Sequence, residues 1–156
     1  MKKYAKIITA ILLVSLLALT LFACFDPSND SEGKMTLVIL DGENATEYVV
    51  DLSKIPSGDS STGLIAVLDY LQSEGKLTYA SNDIGYGPYL TQVGELKESF
   101  AESKYLYIYT DVEIDFNVSQ YTKHITYKGK TYTDSINNAG DMSIKDGCTI
   151  IITYYE

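Results

Sequence analysis

Four oxygen-bearing side chains alternate with apolar ones in the segment DVEIDFN, residues 111–117. In an extended chain Asp111, Glu113, Asp115 and Asn117 share one face, because successive side chains of a strand point to opposite sides. Hard oxygen ligands are what Ca²⁺ requires, and it takes six or more of them. Alternate side chains of a strand lie roughly 7 Å apart, so a loop would have to gather these four. The segment predicts either a calcium site or a solvated acidic face.

Tyrosine is the second residue type that could bind something, since the chain has fourteen tyrosines and no tryptophan. Tyr105, Tyr107 and Tyr109 alternate within YLYIYT and are predicted to share one strand face. Tyr86 and Tyr89 belong to a glycine-rich turn and could line the rim of a cleft. Tyrosine rings stack on flat apolar surfaces while their hydroxyls bind polar atoms. These five tyrosines are therefore the predicted ligand-binding residues; alternatively, they cover a small sheet and bind nothing.

Residues that would support catalysis are scarce. His124 is the only histidine, and Cys148 lies beside the apolar run Ile150–Ile152, which predicts a small buried hydrophobe. The sequence contains no nucleophile elbow, phosphate-binding loop or zinc motif. The formal net charge of -9 argues against nucleic acid as a partner. We therefore predict a protein that is not an enzyme and that takes no cofactor apart from a lipid and the calcium considered above.

The first residues of the chain combine three lysines, Lys2, Lys3 and Lys6, with a long apolar run and a cysteine, Cys24. This pattern resembles the bacterial lipobox, with Leu21 three positions and Ala23 one position before the cysteine, although Phe22 is bulkier than is usual there. The resemblance implies that residues 1–23 are a cleaved signal peptide and that Cys24 carries diacylglycerol. It places the protein on the outer face of the cytoplasmic membrane. An uncleaved membrane anchor is the alternative.

The remaining chain divides into a tether and one domain. Residues 24–34 are polar and rich in turn-forming residues, which predicts a flexible tether. Within residues 35–156, one stretch has the spacing of an amphipathic helix, and its apolar positions are Leu64, Val67, Leu68 and Leu71. The other apolar stretches have the length of strands. The sequence predicts an α+β domain in which a mixed sheet packs on one main helix, as in a β-grasp fold.

Several glycine turns and apolar strands of this domain resemble a known family. The segments that carry the resemblance are GYGPYLTQVGEL, KYLYIYTD, YKGKTY and IKDGCTIIITY. They are similar to the transcobalamin-like C-terminal domain, a domain of unknown function in secreted proteins and lipoproteins of Gram-positive bacteria. The resemblance covers about residues 35–156. It implies a β-grasp-like fold and, as one ligand class, corrinoids.

These features together predict a membrane-anchored, extracytoplasmic lipoprotein. Its domain would be a non-catalytic binding module for a small ligand or glycan, and corrinoid-like ligands are implied by the family resemblance alone. The alternative is a structural or accessory lipoprotein of the cell envelope. Such a protein would bind another protein through a sheet edge or through the tyrosine face.

Overall fold

The computed structural model describes residues 29–56, 62–83 and 85–155. The predicted signal peptide and the lipidation site Cys24 lie outside the described residues. Within the described ranges no helix has the length and apolar character that crossing a membrane requires.

Nine strands and one α-helix make up the regular structure of these residues. The helix, α1, spans Gly63–Ser73, and short 3-10 turns occur at Leu52–Lys54, Phe100–Glu102 and Glu113–Asp115. The strands, in chain order, are β1 Lys34–Asp41, β2 Asn44–Asp51, β3 Tyr79–Asp83, β4 Pro88–Val93, β5 Leu96–Lys97, β6 Leu106–Thr110, β7 His124–Tyr127, β8 Lys130–Asp134 and β9 Thr149–Tyr154.

The main sheet has six strands in the order β2-β1-β9-β6-β8-β7. Strands β1 and β9 pair in parallel, with Thr36 opposite Thr149, and the other pairs are antiparallel. A second sheet of three strands has the order β3-β4-β5. The predicted α+β class, with one main helix and a mixed sheet, is confirmed for the described residues.

Helix α1 covers one face of the main sheet. Its predicted apolar stripe, Leu64, Val67, Leu68 and Leu71, is buried throughout, because residues three and four apart lie on the same side of a helix. The stripe packs with inward-facing residues of β1 and β9. Cys148 belongs to this main core, as predicted. The core members from the two central strands are Leu37, Ile39, Ile150 and Ile152.

The opposite face of the main sheet is covered by the β7–β8 hairpin, which forms one end of that sheet. Strands β7 and β2 are at opposite ends of the strand order, yet the Tyr127 hydroxyl donates to Glu47 of β2, and the Lys128 ammonium lies 2.5 Å from the same carboxylate. The β7–β8 hairpin must therefore fold back across the sheet. Beneath it lies a second, smaller core, whose buried members are Val38, Tyr109, Tyr132 and Ile151.

The described part of the predicted tether is bonded to the domain. The Asp30 amide donates to the carbonyl of Ile144 at 2.8 Å, and Asn29 Oδ1 accepts from the Ile144 amide at 3.0 Å. The Asp30 carboxylate also accepts from the Asp146 amide, a contact that lowers the pKa of Asp30. Residues 29–34 therefore follow the surface of the domain, and four residues, 25–28, lie between Cys24 and Asn29 in the sequence.

Replacement of Tyr109 measures how well the hairpin covers the sheet. The Tyr109 side chain is 2% exposed, so Tyr109→Ala should lower the free energy of unfolding by about 3–5 kcal/mol, as truncation of a buried aromatic does. Tyr121→Ala is the matched control, since Tyr121 is 74% exposed and should change stability by no more than about 0.5 kcal/mol. Urea denaturation followed by circular dichroism gives both values; equal effects would contradict a covered face.

Candidate functional site

A groove of about 260 Å³ lies between β4 of the small sheet and β6 of the main sheet. Its walls are the first halves of these two strands, and its floor is the segment that follows β8. None of its lining residues is Asp, Glu, Lys, Arg or His, although the whole chain has a net charge of -9. Among the lining residues, those with aromatic or amide side chains are Tyr89, Tyr107, Asn137 and Asn138.

The groove exists because two strand edges face each other without a strand between them. Strand β8 pairs with β6 only at Tyr109 and Thr110, which leaves Leu106 to Ile108 without a β8 partner. Strand β5 pairs with β4 only at Gln92 and Val93, so the first half of β4 has no β5 partner either. The chain after β8 enters this gap, where the Ser135 amide donates to the Ile108 carbonyl at 2.9 Å.

Glu98 joins the two walls of the groove. Its carboxylate accepts from the Tyr89 hydroxyl and, at 3.4 Å, from the Leu106 amide. Burial of the Tyr89 ring, together with this hydrogen bond, raises the pKa of the Tyr89 hydroxyl above its usual value. The hydroxyl therefore stays protonated and donates to the Glu98 carboxylate, and this hydrogen bond fixes the position of the Tyr89 ring.

Asn138 holds the rim of the groove. Its Nδ2 donates to the Tyr86 carbonyl at 2.9 Å, and its Oδ1 accepts from the Gly140 amide at 2.8 Å. Gly87 passes close to this side chain with φ +94°, and a Cβ there would lie 2.7 Å from Asn138 Nδ2, so only glycine fits. The backbone of Tyr86 is thereby held next to the groove, and its side chain is 86% exposed.

Asp115 positions the other asparagine of the groove. Its side chain is fully buried, and its two oxygens accept from Asn137 Nδ2 and from the Ser143 amide, both at 2.8 Å. Burial raises the pKa of this carboxyl, and the two hydrogen bonds act in the opposite direction. Asp115 belongs to the 3-10 turn Glu113–Asp115, so its carboxylate links this turn to the chain that follows β8.

Two other residues of the predicted calcium site, Asp111 and Asn117, are also engaged in separate contacts. Asp111 accepts from the Thr149 amide at 2.9 Å and from the Lys130 ammonium at 2.6 Å. Asn117 donates to the Asp134 carboxylate at 2.8 Å, and Glu113 is exposed. Within the described part of the chain, no three Asp, Glu, His or Cys side chains are grouped as metal ligands would be. Calcium binding stays a prediction that these contacts do not support.

The five predicted ligand-binding tyrosines are divided among three places. Tyr89 and Tyr107 line the groove, and Tyr107 also packs on the second core. Tyr86 is bonded through its carbonyl to Asn138 of the groove. Tyr105 packs edge-on against Phe100, with 5.7 Å between ring centroids, and Tyr109 lies in the second core. The contributions of Asn137 and Asn138 were not predicted. Their only sequence signal is the run NNAG, which is typical of a turn.

Comparison with known proteins identifies no family for this chain. No protein-family model matches the chain, and no curated protein matches it. Among solved structures, the chain is similar to a Ruminococcus gnavus protein described as a "putative metal binding protein", at 18% sequence identity and a TM-score of 0.49. The match covers 80% of this chain and 98% of that chain. A likeness this distant assigns no ligand to the groove.

Asp115→Asn tests the role of the buried carboxyl. The amide keeps one acceptor but turns an N–H₂ group toward a donor, so we expect a loss of about 1–3 kcal/mol in unfolding free energy. The folded pKa of Asp115 is raised above 3.8, so its stabilising contribution is complete below that pH and declines as the pH rises through the folded pKa. The difference in the free energy of unfolding between the wild type and Asp115→Asn should therefore decrease as the pH rises.

Urea titrations at a series of acidic pH values measure this gap. Glu113→Gln, in the same 3-10 turn but exposed, is the matched control and should change the free energy of unfolding by no more than about 0.5 kcal/mol. A gap that widened as the pH rose would show that the two hydrogen bonds outweigh burial at Asp115.

Proposed function

We propose that this chain is an extracytoplasmic lipoprotein whose folded domain binds a small, uncharged ligand in the groove between β4 and β6. The observation that carries the proposal is the convergence of Tyr89, Tyr107, Asn137 and Asn138 on one uncharged groove of about 260 Å³. Ligand sites in proteins are typically concave and mostly apolar, with a few polar groups that orient the ligand. This groove has both kinds of surface.

The lining indicates which ligands would fit. Tyrosine rings supply flat apolar faces for a ring. The Asn138 amide is already bonded within the protein on both its nitrogen and its oxygen, so it shapes the groove. The Asn137 amide makes one bond, to Asp115, and can both donate to and accept from hydroxyl or carbonyl groups. A single sugar ring at the end of a glycan matches this combination. A corrinoid, which the family resemblance implies, is much larger than the groove and would enter it by one edge only.

The order of elements supports a β-grasp-like fold and the likeness to the transcobalamin-like domain. The chain runs from the β1–β2 hairpin through α1 and later returns as β9, parallel to β1 in the interior of the main sheet. Helix α1 packs across those strands. This arrangement is the one that we expect of a β-grasp domain.

The chemistry of the residues supports a non-catalytic role. Cys148 is buried, and burial raises its pKa to about 11, so its thiol remains protonated at neutral pH and is a poor nucleophile. His124 is exposed on β7, where Nδ1 lies 3.2 Å from Thr133 Oγ1. Capture of the ligand would depend on stacking and hydrogen bonds alone.

Replacement of Tyr107 tests the groove. Tyr107 lines the groove and also packs against the Tyr155 ring, so Tyr107→Ala should open the β6 wall of the groove. We expect ligand binding to weaken by at least roughly tenfold, which corresponds to about 1.4 kcal/mol. Binding is measured by thermal shift and by tyrosine fluorescence against a panel of neutral mono- and oligosaccharides and of corrinoids. Tyr121→Ala, exposed and outside the groove, is the control and should bind as the wild type does.

Asn137→Ala separates the two parts of the ligand site. It removes the amide but leaves both tyrosine rings, so a sugar should lose affinity while a purely aromatic probe keeps it. A wild-type protein that responds to no member of the panel would contradict a small-ligand function.

The second candidate is an accessory protein of the cell envelope. Strand β2 is an outer edge of the main sheet, eight residues long, and its first four residues are exposed. An unpaired strand edge can add a strand from another chain. This candidate predicts no response to the ligand panel and cross-links from β2 to a second protein.

Cys24→Ala tests the anchor. If Cys24 carries diacylglycerol, the variant should lose metabolic labelling with a fatty acid and should move from the membrane to the soluble fraction or stay as an uncleaved precursor. The wild type should float with the membranes in a density gradient. Labelling that persisted in Cys24→Ala would contradict lipidation at this residue.

A further inference from the structure

Half of the eight large apolar side chains exposed in the described residues come from two neighbouring segments. Ile114, Val118 and Tyr121 belong to the segment between β6 and β7, and Ile136 follows β8. All four are more than 50% exposed, which excludes a role in the core. We call these four side chains the apolar loop surface.

Backbone contacts hold the two segments together. Phe116 and Ser135 form an isolated antiparallel bridge, and the Ile136 amide donates to the Asp115 carbonyl at 2.9 Å. The Asn117 amide donates to the Asp134 carbonyl at 2.9 Å. The apolar loop surface is therefore one region of the molecule and not four scattered side chains. A region of clustered exposed apolar residues marks an interaction surface.

The same region lies next to the attachment point of the chain. Asn29 bonds to the amide of Ile144. The amide of the preceding residue, Ser143, donates to the carboxylate of Asp115. Asp115 lies in the sequence between Ile114 and Phe116, and Phe116 forms the bridge with Ser135. Five residues lead from Cys24 to Asn29, and a fully extended chain of that length spans at most about 17 Å. A lipid on Cys24 would hold this end of the domain within that distance of the membrane.

We propose that the apolar loop surface docks on the outer leaflet of the membrane and fixes the orientation of the domain. The proposal rests on lipidation of Cys24, which is part of the proposed function. Ile, Val and Tyr side chains enter the boundary between headgroups and acyl chains favourably. The contact is made by apolar side chains. Since the chain has a net charge of -9, anionic lipid would not attract it, and docking should not depend on anionic lipid.

Docking would also place the groove close to the membrane. Ile136 lies between Ser135 and Asn137, two of the residues that line the groove. With Ile136 in the interface, the ligand would have to reach the groove from the side, along the membrane surface. Membrane-proximal sugars and lipid-linked sugars are the neutral ligands that such a position favours.

The absence of tryptophan from the chain gives a clean test. Single tryptophans are introduced as Val118→Trp and Ile136→Trp, with Val49→Trp on β2, 66% exposed, as the matched control. The full chain, purified in its lipidated form, is placed in phosphatidylcholine vesicles with and without brominated acyl chains. The first two variants should show a blue-shifted emission that brominated lipid quenches about twofold, because docked side chains lie at a depth of roughly 5–10 Å. The control should show neither change.

Flotation of the same samples separates the two proposals. If the chain does not float with vesicles, lipidation and docking both fail. If it floats but Val118→Trp and Ile136→Trp are quenched no more than Val49→Trp, docking is overturned while the anchor stands. The measurement is repeated with vesicles that also contain an anionic phospholipid. Quenching that appeared only in those vesicles would equally overturn an apolar contact.

Discussion

The fold depends on the need to cover β9 on both of its faces. Ile150, Ile151 and Ile152 are adjacent in the strand and all three are fully buried, so their side chains fill both sides of the sheet. Helix α1 covers the side of Ile150 and Ile152. Since the described residues contain one helix, the other side has to be covered by a different element, and the β7–β8 hairpin does this.

The same requirement creates the groove. A hairpin that turns back across the sheet leaves β6 after two paired residues, Tyr109 and Thr110. The first half of β6 then faces β4 across a gap that no strand fills, and the asparagine segment after β8 closes it from below. Coverage of Ile151 and the presence of a ligand-sized groove are thus two results of one change in the path of the chain.

Local patterns predicted most of the regular structure. The period of α1, the runs of β1 and β9, and the alternation of YLYIYT each depend on neighbours in sequence, and the structure has these elements. The patterns could not predict whether Tyr109 is open or covered, because that depends on a hairpin that returns from the far edge of the sheet. For the same reason the alternating acids suggested ligands of one calcium ion. In the structure Asp115 is buried and accepts hydrogen bonds from residues 137 and 143, which lie far along the chain.

The parallel pair of β1 and β9 bears on when the domain can close around its core. Strand β1 begins the described fold, but its partner on the inner side is made only after every other strand. Contacts of such long sequence separation form slowly. The domain therefore cannot close around its main core until β9 has been made, however early the β1–β2 hairpin forms.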